Sequence, residues 1–384
     1  MPNQLTQEWK IKDLKGVGDV ELSLNASKRV FVFFGSNGVG KTKTLEAMLY
    51  FLLARVEEFD TSRNFDDSNR IASLIQFNGQ KLDFDIATQN SLGPTMVFLA
   101  KLFDQVIVKD FIALAYIGAK QRSSADNNAH TNAKSIGSSK VRRKDYYDLI
   151  SSSIVEGNLS SLGMNQNIHR WFVERAQSVH PYQKSADNRQ VDIDTVLVAL
   201  NTLDNRISKT LNVDGDDNVY LTIEGQETEL NELSSGFISV VKIIQAIVSA
   251  YSAFTNEQDL LNVKGVVLID EIESHLHVEW QTRIIPTLKE LFPNTTFYIA
   301  THSPLVLSQL DEGEAYLLKR EEDNVVRSHV IDSPNKRILA NVLRDAFGID
   351  LNALKRESME DSSQDLAKKR LLKLLQDPAG DTSE

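Results

Sequence analysis

Gly35-Ser36-Asn37-Gly38-Val39-Gly40-Lys41-Thr42 fits the pattern G-x4-G-K-[ST] at every fixed position. Each residue type answers a requirement of polyphosphate binding. Glycines let the backbone curl so that its N–H groups surround phosphate oxygens, and a helix starting there adds the positive end of its dipole. Lys41 offers a cation to the β- and γ-phosphates, and Thr42 a hydroxyl to Mg²⁺. The candidate binding set is Gly35, Ser36, Asn37, Gly38, Val39, Gly40, Lys41, Thr42 and Lys43. A second run complements it: Val266-Val267-Leu268-Ile269-Asp270-Glu271 is apolar and ends in two carboxylates. Asp270 can hold a metal shell, and Glu271 can orient or deprotonate an attacking water. Alone, Asp-Glu after a strand usually just starts a solvated loop; its pairing with the glycine-rich loop gives it weight.

These groups need elements to position them. Arg29–Phe34 is a continuous run of β-formers, the pattern of a strand buried on both faces. Leu45, Leu49, Leu52 and Val56 follow the loop at helical spacing. Gly265–Ile269 and Thr296–Ala300 read as two more buried strands, Phe111–Gly118 as another, and Val219–Ile223 as a short one. Trp9–Leu24 predicts two strands around Gly16 and Gly18, and Asn78-Gly79 a hairpin within Ser73–Ala87. Phe237–Tyr251 reads as a strongly apolar helix. Residues 120–145 are polar, with Lys134, Lys140, Arg142, Arg143 and Lys144, and read as a surface loop. Residues 145–210 read as helical, with Ile193, Val196, Leu197, Leu200, Leu203 and Ile207 as one apolar stripe; Trp171 and Phe172 read as core. Alternating strands and helices imply an α/β fold around a largely parallel sheet.

Composition excludes several classes. At 384 residues, 41% hydrophobic and 25% charged, the chain is globular rather than disordered. Its 42 Lys+Arg against 53 Asp+Glu give a net charge of −11, so any nucleic-acid contact would come from a local basic patch. With no cysteine, disulfides, thiolate metal sites and a Cys nucleophile are excluded. His275 and His277 have no third clustered ligand to make a zinc site. No apolar run reaches the ~18 residues of a membrane span, and Met1–Lys10 lacks the apolar core of a signal peptide. The expected location is the cytoplasm, with no membrane partner.

Two further motifs select a branch. Leu233-Ser234-Ser235-Gly236, ahead of an apolar helix, resembles the signature motif of ABC-type ATPases, and Thr301-His302-Ser303-Pro304, after Phe297–Ala300, resembles their H-loop. The order along the chain is theirs too. Asp270-Glu271-Ile272-Glu273-Ser274-His275-Leu276-His277-Val278-Glu279-Trp280-Gln281 resembles the DEPE-x-HLHP-x-x-Q stretch of the overcoming-lysogenization-defect (OLD) group, and Tyr116–Arg122 is similar to its YIGPLR segment. Val278 stands where proline is usual, and Phe237 where a polar residue often follows the signature glycine. The chain thus resembles the ABC-type P-loop ATPases of the OLD/RecF-like group, the stand-alone ATPases of bacterial anti-phage systems (Septu type) first, over about residues 10–122 and 219–310.

The resemblance implies a P-loop NTPase with an ABC-type core, a mixed sheet flanked by helices. It divides into an N-terminal core part (1–122), a mostly helical insertion (123–218), a C-terminal core part (219–335) and a helical C-terminal docking region (336–384). It implies ATP and Mg²⁺ as cofactors and Lys41, Glu271 and His302 as catalytic residues. Thr42, Asp270 and Gln121 would be metal ligands, with Gln76 as the alternative glutamine. Ser234, Ser235 and Gly236 would face the γ-phosphate held by a second subunit, in a homodimer or higher oligomer. The stretch between Gln121 and Leu233 is too short for a long coiled coil at ~1.5 Å per residue, and a TOPRIM-like nuclease is not expected in the residues after Thr301. The expectation is an ATP-hydrolysing sensor and assembly subunit working with a separate effector, a nuclease, docked on the insertion and on the C-terminal helices near Leu371–Leu375. A RecF-like ATP-dependent DNA clamp is the alternative, although His275-Leu276-His277 does not match that family's acidic D-loop. A nucleic-acid contact through the basic loop stays open.

Overall fold

In a computed structural model the described residues are 6–54, 71–83, 113–122 and 136–336, apart from His180, Gln183, Ser185 and Ala186. Val56, Lys134 and the C-terminal leucines lie outside them. Among the described residues, ten strands form one mixed sheet. Its parallel half holds β3 (Val30–Phe34), β6 (Ala113–Ile117), β10 (Gly265–Ile269), β11 (Thr295–Ala300) and β12 (Ala315–Arg320), in the spatial order β12-β3-β11-β10-β6. All five residues of β3 and of β6 are buried, as their continuous apolar sequence requires of strands covered on both faces. The other half is antiparallel: β1 (Thr6–Leu14), β2 (Gly18–Asn25), and the hairpin β4 (Leu74–Phe77) and β5 (Gln80–Asp83) turning at Asn78-Gly79. β13 (Val326–Val330) joins the halves, antiparallel to β12 and parallel to β2.

Register is what makes a site. Phe33 pairs with Ala300, Ile299 with Ile269, and Ile269 with Ile117, so four neighbouring strands end level. The segments after them, beginning at Gly35, Thr301, Asp270 and Gly118, leave the sheet along one carboxyl edge. Open parallel sheets bind ligands at that edge.

Helix α1 (Lys41–Leu53) starts directly after the glycine-rich loop and lies against β11, β1, β4 and β10. Helices α2 (Ser139–Val155), α3 (Ile168–Gln177) and α4 (Gln190–Leu203) form a helical module, on which α5 (Ser235–Phe254) packs with one side while its other side meets β6. α5 has the length and hydropathy of a membrane span, but 94% of that window is buried inside the protein. It is a core helix. Trp171 and Phe172 are fully buried, as expected. Short helices α6 (Val278–Gln281), α7 (Ile284–Leu291) and α8 (Pro304–Leu307) follow β10 and β11.

Two expectations are corrected. Neither the helical reading to residue 210 nor the stripe to Ile207 holds: α4 stops at Leu203, where Asp204 leaves helical geometry (φ −143°, ψ 109°) and its carboxylate accepts from the Arg206 N–H. Ile207 instead opens β7 (Ile207–Val213), which forms a separate antiparallel sheet with β8 (Val219–Ile223) and β9 (Gln226–Glu229) across residue 218. The basic run is not loop either. α2 begins at Ser139, so Lys140, Arg142, Arg143 and Lys144 are helical. Buried Arg142 donates to the Ser252 and Gly137 carbonyls and to Asn256, and Arg143 donates to the Phe254 carbonyl. Both arginines satisfy carbonyls that the C-terminal turn of α5 leaves unpaired.

Candidate functional site

The loop geometry follows from its glycines. Gly40, the residue before α1, sits at φ 108°, and a Cβ there would lie 2.6 Å from Val17 Cγ1 in the turn between β1 and β2. Gly35, at φ 152°, has the Leu318 carbonyl oxygen 2.7 Å from its missing Cβ. No other residue fits either position. Ser36, Asn37 and Gly38 are exposed at the crest, where a Cβ on Gly38 would meet nothing within 4 Å. Exposed Lys43 pairs with Glu46 at 2.6 Å.

Lys41 is buried, and its Nζ donates to the Gly35 and Ser36 carbonyls at 2.8 and 3.0 Å. Burial holds its pKa down to about 8 against the pull of Asp270, Glu273 and Glu271. The cation is thus held inside its own loop by weak neutral acceptors that a phosphate would outcompete. Thr42 Oγ1 donates to both oxygens of Asp270, at 2.9 and 3.0 Å. Burial raises the Asp270 carboxyl to about 6, with the Thr42 bond and Arg122 opposing and Glu271 and Glu46 adding to the rise. A hydroxyl and a carboxylate, both oxygen donors in a spot with excess negative charge, suit Mg²⁺.

Glu271 adopts the left-handed region at φ 46°. Its carboxylate accepts from Ser274 Oγ at 3.1 Å. Glu273 turns toward the neighbouring segment, accepting from Thr301 Oγ1 and from the His302 N–H, both at 2.6 Å. Gln281 accepts from Ser303 Oγ at 2.7 Å and donates to the Leu276 carbonyl at 3.0 Å. Ser303 in turn caps α8 through the Leu305 and Val306 N–H groups. The His302 backbone is therefore fixed from both sides. Its imidazole pKa is lowered by burial and then by Lys41, so it is neutral at pH 7.

Ser234 and Ser235 are exposed at the start of α5, where Ser234 Oγ accepts from the Phe237 N–H at 3.3 Å. A Cβ on Gly236 would press within 3.3 Å of the His275 carbonyl and the His277 N–H. The signature motif thus sits beside the exposed His275–His277 turn. Lys41, Thr42, Asp270, Glu271 and His302 gather along the strand ends. Gln121 is exposed, at φ 63°, and presents its backbone carbonyl to Lys242 Nζ at 2.8 Å. Its neighbour Arg122 donates to the carbonyl oxygens of Gly118, Asp270 and Glu271. Gln76, in β4, belongs to the hairpin. Among the described residues no group of three or more His, Cys, Asp or Glu side chains is placed to hold a metal ion.

The profile of the family described as "AAA domain, putative AbiEii toxin, Type IV TA system" matches residues 30–308. The chain belongs to that family. Its relatives include the Septu protein PtuA of Bacillus thuringiensis, 26% identical over 88% of this chain and 84% of that protein. The "Retron Vc95 probable ATPase" of Vibrio cholerae is 32% identical over 40% of this chain, which spans 27% of that protein. Among solved structures, an SMC head bound to the C-terminal winged-helix domain of ScpA aligns at TM-score 0.45 and 14% identity, covering 86% of this chain and 99% of that one. The family and the sequence relatives bear out the recognition of an ATPase of the anti-phage defence type, and the ten-stranded mixed sheet flanked by helices bears out the α/β fold. Spacing alone does not single out Arg122, Glu273 and Gln281 of this family member. They lie in the two segments that resemble the OLD group, and that placement is the signal that finds them.

Proposed function

We propose that the protein binds and hydrolyses ATP with Mg²⁺ as the sensor and assembly subunit of an anti-phage defence complex in the cytoplasm, and passes its state to a separate nuclease effector. The observation that carries the catalytic half is the meeting of Lys41, Thr42, Asp270, Glu271 and His302 on one sheet edge, in a chain whose relatives are defence ATPases. Lys41 exchanges its two loop carbonyls for β- and γ-phosphate oxygens. Thr42 and Asp270 would hold Mg²⁺, which would supply neutralisation of phosphate charge. Glu271 accepts the proton of the attacking water. His302, neutral and fixed through Glu273, donates a hydrogen bond to the γ-phosphate and registers its loss.

The exposed serines at the start of α5 support a second role. A helix N-terminus offers N–H groups and a positive dipole end to an anion, and Ser234, Ser235 and Gly236 would meet the γ-phosphate bound to another copy. ATP then bridges two copies, and hydrolysis releases them. Cross-linking cysteines placed at Ser36 and Ser235 tests this: an ATP-dependent link between subunits supports the sandwich, and its failure in every nucleotide state sinks it. In the basic run Arg142 and Arg143 donate to carbonyls of the fold, while Lys140 and Lys144 are exposed, so the clamp alternative is tested by duplex-DNA binding of the purified chain.

Phosphate release by the purified chain tests the catalytic half. Hydrolysis that disappears in Lys41→Ala with loss of ATP binding is expected; an unchanged rate overturns the reading. For the effector, a nuclease co-purifying with the native protein supports the proposal. DNA cleavage by this chain alone with Mg²⁺ refutes a separate effector.

A further inference from the structure

Arg122 is 0% exposed, and all its described hydrogen bonds go to backbone carbonyls: Nε to Gly118 at 3.0 Å, Nη2 to Asp270 at 2.5 Å and Nη1 to Glu271 at 2.5 Å. Burial costs this guanidinium charge stabilisation and pulls its pKa down to about 10. Its planar fork, however, can grip two successive carbonyls at once. Those two belong to the corner at which the chain leaves β10 and Glu271 takes its left-handed conformation, a conformation that persists only when its surroundings enforce it. The Ser274 N–H also donates to the Glu271 carbonyl, at 2.8 Å. Arg122 therefore fixes the backbone from which the Glu271 carboxylate projects.

The segment carrying Arg122 is itself gripped from the other side. The Gly118 N–H donates to the Leu162 carbonyl and the Lys120 N–H to the Ser160 carbonyl, at 2.9 and 2.8 Å. A Cβ on Gly118 would stand 2.2 Å from the Ser160 oxygen, so only glycine permits this approach. Buried Lys242, on α5, joins the two strips by donating to the Gln121 carbonyl at 2.8 Å and to the Met164 carbonyl at 3.1 Å. Residues 118–122 are thus a narrow strip, bonded on one side to residues 160–164 between α2 and α3 and on the other to the Asp270-Glu271 corner.

We propose that Arg122 is a positioning residue for Glu271, and that through the strip 118–122 the helical module sets the rate of ATP hydrolysis without altering ATP affinity. A partner that shifts the 160–164 segment moves Gly118 and Lys120 with it, and Arg122 transmits the shift to the corner that aims the water-activating carboxylate. Lys41 and the glycine-rich loop, on β3, stay in place. The proposal rests on the reading of Glu271 as water activator.

The test uses the full chain and separates turnover from binding. Arg122→Gln should lower kcat about tenfold or more while a fluorescent ATP analogue binds within about threefold of wild type. Arg122→Lys, which keeps the charge but reaches one carbonyl rather than two, should fall between. Gly118→Ala, which forces the Ser160 carbonyl away, should slow turnover with affinity intact. A merely structural role would lower affinity, turnover and melting temperature together. If Arg122→Gln does not fold, Arg122→Lys and Gly118→Ala decide. Wild-type turnover in those two variants, or affinity falling in step with kcat, overturns the proposal. Glu271→Gln is the control: if it hydrolyses ATP normally, the underlying reading of Glu271 fails; if it is inactive while Arg122→Gln is not, only the positioning role fails.

Discussion

Two clusters of charged side chains, one at the phosphate edge and one inside the helical module, are built on opposite logic. At the edge, Lys41 is held by two neutral carbonyls and Asp270 by one hydroxyl, partners that a phosphate or a cation can displace. In the module, Asp192 is fully buried and its carboxylate is already shared among Arg175, Arg189 and Ser252, at 3.2, 2.5 and 2.8 Å. Arg175 also lies over the Trp171 ring at 4.2 Å. That cluster ties α3, α4 and α5 together and faces no solvent. Charge whose partners are replaceable marks chemistry; charge whose partners are permanent marks architecture.

Glu271→Gln should break the first cluster most sharply. It keeps the shape and loses the proton acceptor, so phosphate release should fall roughly 10²–10⁴-fold while ATP binding and the melting temperature hold. A rate near wild type would mean that the edge uses a different base.

Asp192→Ala should break the second. It leaves two buried guanidinium groups without their carboxylate, which typically destabilises by about 3–5 kcal/mol. Chemical denaturation should show the loss, while ATP affinity per folded molecule is retained, because Asp192 belongs to the module and not to the strand ends. Stability unchanged within about 1 kcal/mol would show that the cluster ties nothing.

The same contrast explains what the sequence could disclose. The glycine-rich loop, the Asp-Glu pair and the strands under them are legible because phosphate chemistry fixes residue type and spacing together, and fully buried parallel strands leave uninterrupted apolar runs. Arg122, Glu273 and Gln281 are harder to see. Arg122 binds main-chain carbonyls and Glu273 a main-chain N–H, groups that every residue type carries, so the partner side leaves no pattern. Ile207 misleads because it falls four residues after Leu203, a helical interval, although Asp204 has already turned the chain into β7. Arg142 misleads because a basic run ordinarily means solvent, whereas here the end of α5 supplies carbonyls that must be satisfied.

Asp270→Asn should give a smaller effect of the opposite sign on stability. The folded state raises this carboxyl from 3.8 to about 6, so it binds the proton more tightly than the unfolded chain does. This group's contribution is therefore most favourable below the unfolded pKa and is lost as pH rises through about 6. Removing the charge should stabilise the metal-free protein at pH 7 by at most about 3 kcal/mol, the equivalent of the shift. It should also abolish the Mg²⁺ dependence of ATP binding. Melting curves between pH 4 and 7 should converge for the two proteins at the acid end; a variant less stable than wild type at pH 7 would mean that the Thr42 bond outweighs the burial of charge.

The smallest effects sharpen the comparison within one helix. Arg142 and Lys144 lie two residues apart on α2, yet the first is buried against the end of α5 and the second is exposed. Arg142→Ala removes a donor from three acceptors, Gly137, Ser252 and Asn256, and should cost about 1–3 kcal/mol, as expected when charged hydrogen bonds are lost. Lys140→Ala and Lys144→Ala change solvated side chains and should stay within about 0.5 kcal/mol. If the two lysines instead weaken binding to duplex DNA in a salt-dependent way, the exposed face of α2 is a nucleic-acid contact after all, and the division between chemical and architectural charge has to be drawn through the middle of this helix rather than around the module.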